Sequence, residues 1–307
     1  MSLGVRSRLT EVLQALTVSS EPAVKPVAAS GGGNCEFVVA NDRRLREDAW
    51  QLVYEVYRTK GYIASHPSRL RVILQDAHPQ TVTYLVRDRA QKVPVATLTV
   101  VPDSPLGLPM DRNCGPELAA LRNSGRRLCE IAKLVQAEPE PGGCGADIGA
   151  ILFLFRLAFL KCWKVEGATD MIVSAVPRHA RFYQNVLLFE PLGEARSYAS
   201  VGETVGVPMR LDVSSAKERY RLREARRPGR SSIFELFFDD QEAEIVDWLR
   251  SEERPMTEDQ LAHFFAENSD LLRNAGAAEL ACLRELYAAC GLERALASRP
   301  VAQQMLS

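Results

Sequence analysis

The sequence lacks the residue patterns that indicate a metal centre or a disulfide framework. It contains only four histidines, and its seven cysteines form no Cys-x-x-Cys pair and have no histidine at metal-ligand spacing. Their odd number and scattered positions indicate reduced thiols in a reducing compartment. We therefore expect no metal site.

An excess of charge of either sign is also missing. The chain has 38 Lys and Arg residues and 39 Asp and Glu residues, so its formal net charge is −1. Without an overall basic field to attract a polyanion, nucleic acid is not an expected partner.

Long hydrophobic runs are absent too. The longest run, 148–160, is interrupted by Arg156 and is shorter than the roughly 20 residues that a membrane-crossing helix needs. Residues 1–17 have no secretory signal core, although apolar residues recur at helical spacing between Leu9 and Leu16. We expect a cytoplasmic protein and leave contact with a membrane surface open.

What is present is typical of a globular protein, with 46% hydrophobic and 25% charged residues. Shifts in composition divide the chain into four parts. We predict an amphipathic helix at 1–17, a flexible linker rich in Ser, Pro, Ala and Gly at 18–35, a folded core domain at 36–213, and a helical extension at 214–307.

The core alternates between strand and helix patterns. Their order is β-α-β-β-(α)-β-α-β-α-β, with an antiparallel hairpin at 82–101 followed by βαβ crossovers. This combination predicts an α+β fold with a mixed, mostly antiparallel sheet and flanking helices. We expect about six or seven strands, with central strands that splay near Glu130. The predicted strands are 36–40, 82–87, 93–101, 127–135, 171–176 and 207–211.

Four segments resemble, in order and spacing, the core of bacterial long-chain N-acyl amino acid synthases. They are ATLTVVPDSPLGLPMD (96–111), ELAALR (117–122), RLCEIAKLV (127–135) and VPRHARFY (176–183). The resemblance implies a GNAT-like acyltransferase, related to the acyl-homoserine-lactone autoinducer synthases. Such an enzyme moves a fatty acyl group from an acyl carrier protein to the nitrogen of an amino acid, without a metal or redox cofactor.

Two departures from the family pattern leave the donor open. The family usually has Glu-x-x-Arg-Leu where this chain has Glu130, Lys133 and Leu134, and the GNAT coenzyme-A signature is missing. The donor substrate is therefore either an acyl carrier protein thioester, bound through its phosphopantetheine, or an acyl-coenzyme A.

Glu130 is the leading candidate for catalysis. Amide formation needs a group that takes the proton of the amine, and strand alternation turns Glu130 away from its apolar neighbours. Partial burial would raise its pKa towards that of a useful base. The alternative is a structural salt bridge with Arg126, Arg127 or Lys133.

Other candidates follow from the same chemistry. We predict that His179 and Tyr183, four residues apart on one helix, help with catalysis, with a polar cap and core packing as the respective alternatives. Residues near the end of the first core helix, where GNAT folds close over the acceptor, are predicted to bind it. They are Tyr54, Tyr57 and Arg58, with Arg58 suited to a carboxylate.

The donor is predicted to lie along the Glu130 strand and the helix after it. A glycine-rich loop before that helix can hold a phosphate or simply form a turn, and the aromatic stripe on the helix lines an acyl tunnel or belongs to the core. The donor residues are Leu134, Val135, Gly142, Gly143, Gly145, Phe155 and Phe159.

Three arginines and a basic run are predicted to dock the acidic helix of a carrier protein, unless they form only a solvated face. They are Arg122, Arg126, Arg127 and the run 217–230. Two rival functions stay open at this point. One is an autoinducer-like synthase that uses S-adenosylmethionine, and the other is a non-catalytic, acyl-sensing module whose extension recruits a partner.

Overall fold

A computed structural model describes residues 35–138, 145–226, 233–288 and 292–297. The predicted N-terminal helix at 1–17 lies outside these residues, as does the predicted linker apart from Cys35, which opens the first strand. In the described residues, no helix is both long and apolar enough to cross a membrane.

One open sheet of eight strands forms the centre, in the order β1-β2-β3-β4-β5-β8-β6, with β7 paired to β8. All described pairs are antiparallel except β4 with β5, so the predicted mixed, mostly antiparallel α+β sheet is confirmed. The strands are β1 (Cys35–Val39), β2 (Val82–Asp88), β3 (Pro94–Pro102), β4 (Leu128–Gln136), β5 (Asp170–Ala175), β6 (Glu190–Pro191), β7 (Arg196–Tyr198) and β8 (Thr204–Asp212).

Helices cover both faces of the sheet. In the core these are α1 (Arg43–Thr59), α2 (Asp111–Asn123), α3 (Ile148–Leu160) and α4 (Pro177–Asn185). The extension contributes α5 (Val213–Ala225), α6 (Ile233–Phe237), α7 (Glu242–Glu252), α8 (Glu258–Ala262), α9 (Leu271–Asn274), α10 (Ala277–Leu286) and α11 (Glu293–Ala297).

The sheet opens where β4 and β5 part. Their parallel pairing runs from Leu128 opposite Asp170 to Ile131 opposite Val173, and beyond it, within the described part of the chain, each strand pairs only with its other neighbour. The register of β3 against β4 shifts next to Lys133, which has a φ of 51°. This bulge bends β4 away from β5, so the predicted splay near Glu130 is confirmed.

The extension packs against the core on two sides. Phe237 of α6 lies 5.7 Å from Phe159 of α3, measured between ring centroids. After α8, Phe264 lies 4.8 Å from Trp50 of α1. Because α3 is covered by the sheet and by the extension, it is apolar nearly all round.

Candidate active site

Glu130 lies on β4, beside the point where β4 and β5 separate. The residue is only 4% exposed, and its Oε2 atom accepts a 2.8 Å hydrogen bond from the main-chain N–H of Met110. Burial raises the pKa of the carboxyl to about 8; the hydrogen bond opposes the rise, and the charge of Asp111 adds to it. A carboxyl that titrates near neutral pH is suited to accept a proton from an amine.

Glu130 forms no ion pair with any described residue. The three cations that were its alternative partners are engaged elsewhere, so that structural interpretation is wrong. Arg126 pairs with Asp170 and Asp212, Arg127 donates to the carbonyl of Gly167, and Lys133 pairs with Asp76.

The loop before α2 places the N–H group of Met110. Arg122 forms ion pairs with Asp103 at 2.7 Å and with Asp111 at 2.6 Å. Asp111 in turn accepts a 2.7 Å hydrogen bond from the N–H of Leu108. Arg122 therefore braces the loop whose Met110 N–H group contacts Glu130.

A cavity of about 530 Å³ opens at the splay, with Glu130 in its wall. This volume is in the range of small-molecule sites in proteins. The wall comes from the end of α1, residues 71–75, the loop 108–112, the splayed parts of β4 and β5, the start of α4, residues 198–206, and two helices of the extension, α9 and α10.

His179 and Tyr183 both line this cavity, as does Glu130. His179 lies at the start of α4, and partial burial of its ring together with the charges of Arg178 and Lys60 lowers the pKa of its imidazole. Tyr183 is buried against Phe155, and burial raises the pKa of its hydroxyl, which stays protonated. The fold thus brings the three predicted catalytic residues to one cavity.

Tyr198 is a cavity residue that no sequence pattern indicated. The hydroxyl of Tyr198 lies 3.3 Å from the Sγ atom of Cys114, and burial raises the pKa of this hydroxyl. A side chain at Gly206 would collide with Tyr198 and with the Oγ atom of Ser174, which also lines the cavity. No periodicity could signal Tyr198, because the strand it ends has only three residues.

Lys133, at the departure from the family pattern, also lines the cavity. It is buried, pairs with Asp76, and lies 5.3 Å over the ring of Trp50. Burial lowers the pKa of the ammonium, while Asp76 opposes the shift. The partner lies 57 residues earlier in the chain, beyond the reach of local spacing.

Four more cations line the cavity, and none forms a salt bridge with another described residue. Arg71 is the most constrained of them, because it lies 5.9 Å over the ring of Tyr57 and donates to the carbonyl of Ser200 at 2.9 Å. The others are Lys60, Arg112 and Arg178. Such a wall is suited to a substrate that carries an anion.

Of the three residues predicted to bind the acceptor, only Tyr57 lines the cavity. Tyr54 is buried behind it, where its hydroxyl accepts a 3.0 Å hydrogen bond from the N–H of His66. Arg58 is in the last turn of α1 but outside the cavity wall. Arg71 is the better placed arginine, and no sequence pattern singled it out.

The predicted donor residues are divided by the fold. Leu134 and Val135 line the cavity, whereas Phe155 and Phe159 are buried in the core, and the cavity does not reach them. Gly145 precedes α3 without lining the cavity. Gly142 and Gly143 lie outside the described residues.

The three arginines predicted to dock a carrier protein differ in whether they form ion pairs within the protein. Arg122 and Arg126 are held by internal carboxylates, as described above. Arg127 is exposed and forms no ion pair within the described residues. In the basic run, Lys217 is exposed on α5, with its Nζ atom 5.6 Å over the ring of Phe238.

No group of three His, Cys, Asp or Glu side chains that could hold a metal ion occurs among the described residues. The polar groups of the cavity are carboxyl, hydroxyl, imidazole and cationic side chains. These can move protons and bind anions.

Comparisons with known proteins agree with this chemistry. A family model described as N-acyl amino acid synthase FeeM matches residues 48–212. Among solved structures, FeeM from uncultured soil microbes aligns with a TM-score of 0.52 and 21% identity, over 62% of this chain and 97% of that one. No curated protein sequence matches significantly.

Two acyl-homoserine-lactone synthases are also similar, at lower scores. LasI aligns with a TM-score of 0.43 and 13% identity, over 60% of this chain and 95% of that one. BjaI, a coenzyme-A-dependent synthase, aligns with a TM-score of 0.43 and 16% identity, over 64% of this chain and 89% of that one. Since the FeeM family model spans more than half of the sequence, the chain belongs to the N-acyl amino acid synthase FeeM family and is an acyltransferase with a GNAT-like fold.

Proposed function

We propose that the chain transfers a long-chain fatty acyl group from a thioester to the amino group of an amino acid. The observation that carries this proposal is Glu130: a buried carboxyl with a pKa of about 8 and no ion pair among the described residues, in the wall of a substrate-sized cavity. The donor is an acyl carrier protein thioester or an acyl-coenzyme A.

The reaction needs one proton removed and one supplied. The amine nitrogen attacks the thioester carbonyl carbon, the new C–N bond forms, and the C–S bond breaks. Glu130 takes the proton that the amine loses, and the protonated hydroxyl of Tyr183 supplies one to the departing thiolate. Solvent exchange returns both groups to their starting states, and the products are an amide and a free thiol.

The splay supports donor binding beside Glu130. Past Ile131, the main chain of β4 has no strand partner on the β5 side among the described residues, and Leu134 and Val135 line the cavity there. Unpaired strand backbone is suited to the amide groups of a pantetheine arm. At the acceptor end, Arg71 is the residue we assign to the carboxylate of the amino acid, since it is fixed by Tyr57 and Ser200.

Mass spectrometry of lipids from cells that express the chain tests the proposal. We expect N-acyl amino acids in these cells and far smaller amounts in cells that express the Glu130→Gln variant. Equal lipid profiles in the two cultures would contradict it.

The pH dependence of turnover follows from the raised pKa of Glu130. Below about pH 8 the carboxyl is protonated and cannot accept the proton of the amine. We therefore expect kcat/KM for the donor, at saturating acceptor, to rise with pH and level off above about 8. A second acceptor with a less basic amine shows whether Glu130 or the amine causes this pH dependence. If Glu130 causes it, kcat/KM levels off at the same pH with both acceptors.

Donor choice can be tested with Arg127 and Lys217, two exposed cations of the predicted docking surface that form no ion pair among the described residues. If Arg127 and Lys217 steer an acidic carrier protein, then Arg127→Glu and Lys217→Glu should lower kcat/KM for the carrier-bound donor about tenfold and spare a short acyl-thioester mimic. Raised salt should have the same selective effect. Arg89→Glu, in the β2-β3 turn, is the control; equal losses with both donors would exclude docking at this surface.

A further inference from the structure

The extension supplies part of the cavity wall. Leu271 of α9 and Glu279 of α10 line the same cavity as Glu130. Both lie beyond residue 212, where the match to the family model ends. In the alignment with FeeM, 62% of this chain covers 97% of the FeeM chain, so little of FeeM is left to correspond to these helices.

The helices of the extension are anchored beside the acceptor end of the cavity. The hydroxyl of Tyr287 donates a 2.8 Å hydrogen bond to the carbonyl of Ala77, and both groups are buried. Leu271 and Leu280 join the apolar cluster that also includes Val72. Since Val72 is next to Arg71 and both line the cavity, the extension supports the wall that holds this arginine.

Glu279 gives this wall a second carboxylate. Among the described residues, Glu130 and Glu279 are the two acids that line the cavity. The Oε2 atom of Glu279 accepts a 2.6 Å hydrogen bond from the N–H of Gly276, which fixes the side chain at the start of α10. A fatty acyl chain next to a fixed charge would remove that charge from water at a cost in free energy. We therefore place the Glu279 carboxylate at the polar end of the site.

We propose that Leu271 and Glu279 contact the bound acceptor and determine its side-chain class. The carboxylate of Glu279 repels an acceptor with an acidic side chain, and Leu271 favours an uncharged one. This inference rests on the proposed function, and it gives the extension a place in substrate selection.

Glutamine and glutamate are the sharpest pair of acceptors for a test, because they have nearly the same shape and differ in charge. In the Glu279→Gln variant, the amide oxygen still accepts the Gly276 hydrogen bond, so the helix start is preserved. We expect the ratio of kcat/KM for glutamate to that for glutamine to rise about fivefold, the effect of one moderate charge interaction. The control is Glu244→Gln, an exposed acid on α7 outside the cavity wall, which should leave the ratio unchanged.

Hydrogen exchange with bound N-acyl glutamine provides a readout that needs no turnover. We expect protection of both 128–136 and 271–283. Protection of 128–136 alone, or an unchanged ratio in the Glu279→Gln variant, would overturn the inference and leave the proposed function standing. If the wild type forms no amide and neither segment is protected, the proposed function fails and this inference fails with it.

Discussion

Replacing Glu130 by glutamine is expected to lower kcat for amide formation by roughly 10²-fold or more, the usual contribution of a general base. The amide keeps the size of the side chain, and its oxygen can still accept the hydrogen bond from the N–H of Met110. The loss therefore reports the missing base. Steady-state kinetics with the short acyl-thioester mimic measure it, and Glu190→Gln, at an exposed acid outside the cavity, is the matched control.

The same variant should be at least as stable as the wild type, and more so at high pH. A carboxyl whose folded pKa is raised from 4.5 to about 8 favours the protonated folded state, so its contribution to stability is lost as pH rises through about 8. A glutamine at this position stays neutral at every pH, so the variant keeps this contribution to stability. Melting curves at pH 6 and pH 9 should show the advantage of the variant growing with pH. If the Glu130→Gln variant turns over as fast as the wild type, or melts at a lower temperature than the wild type, Glu130 has a structural role and is not the base.

Loss of the ion pair between α3 and the extension is expected to destabilise the whole protein. Arg156 is 3% exposed, and both of its terminal nitrogens donate to the carboxylate of Asp239. In Asp239→Asn this buried cation loses its counter-charge, which costs about 3 kcal/mol for a pair of this kind. Urea unfolding of the intact chain measures the change.

Asp247→Asn on α7 is the matched control, because the Asp247 side chain is 81% exposed and pairs only at 3.8 Å with Arg250. We expect its effect to stay within about 0.5 kcal/mol, as for most surface substitutions. If Asp239→Asn unfolds in two steps, with the core transition unchanged, the extension is an independent unit and not part of the core. One cooperative transition shifted to lower urea is the expected result.

Local pattern was enough to predict the centre of the fold. The hairpin of β2 and β3 and the apolar helix α3 follow from periods of two and 3.6 residues, and Glu130 stood out as an acid between apolar neighbours on a strand. The strand count was wrong, with eight strands in place of six or seven, because β6 and β7 have two and three residues and carry no measurable period.

The partners of charged residues could not be predicted, because they depend on contacts between distant segments. Arg122 and Arg126 looked like surface cations, yet their carboxylate partners lie up to 86 residues away along the chain. Lys133 looked like a partner for Glu130 and is paired with Asp76 instead. An amphipathic helix shows which of its faces is apolar but not what covers that face, so the contribution of α9 and α10 to the cavity was not visible in the sequence.

The most direct test of the central claim measures thiol release and amide formation together in the purified protein. A long-chain acyl thioester is offered with and without a mixture of amino acids; a thiol reagent counts the free thiol, and mass spectrometry counts the N-acyl product. We predict that thiol release depends on the amino acid, equals the amide formed, and is lost in the Glu130→Gln variant. Thiol release without an amino acid, or amide formation that survives the loss of Glu130, would contradict the account.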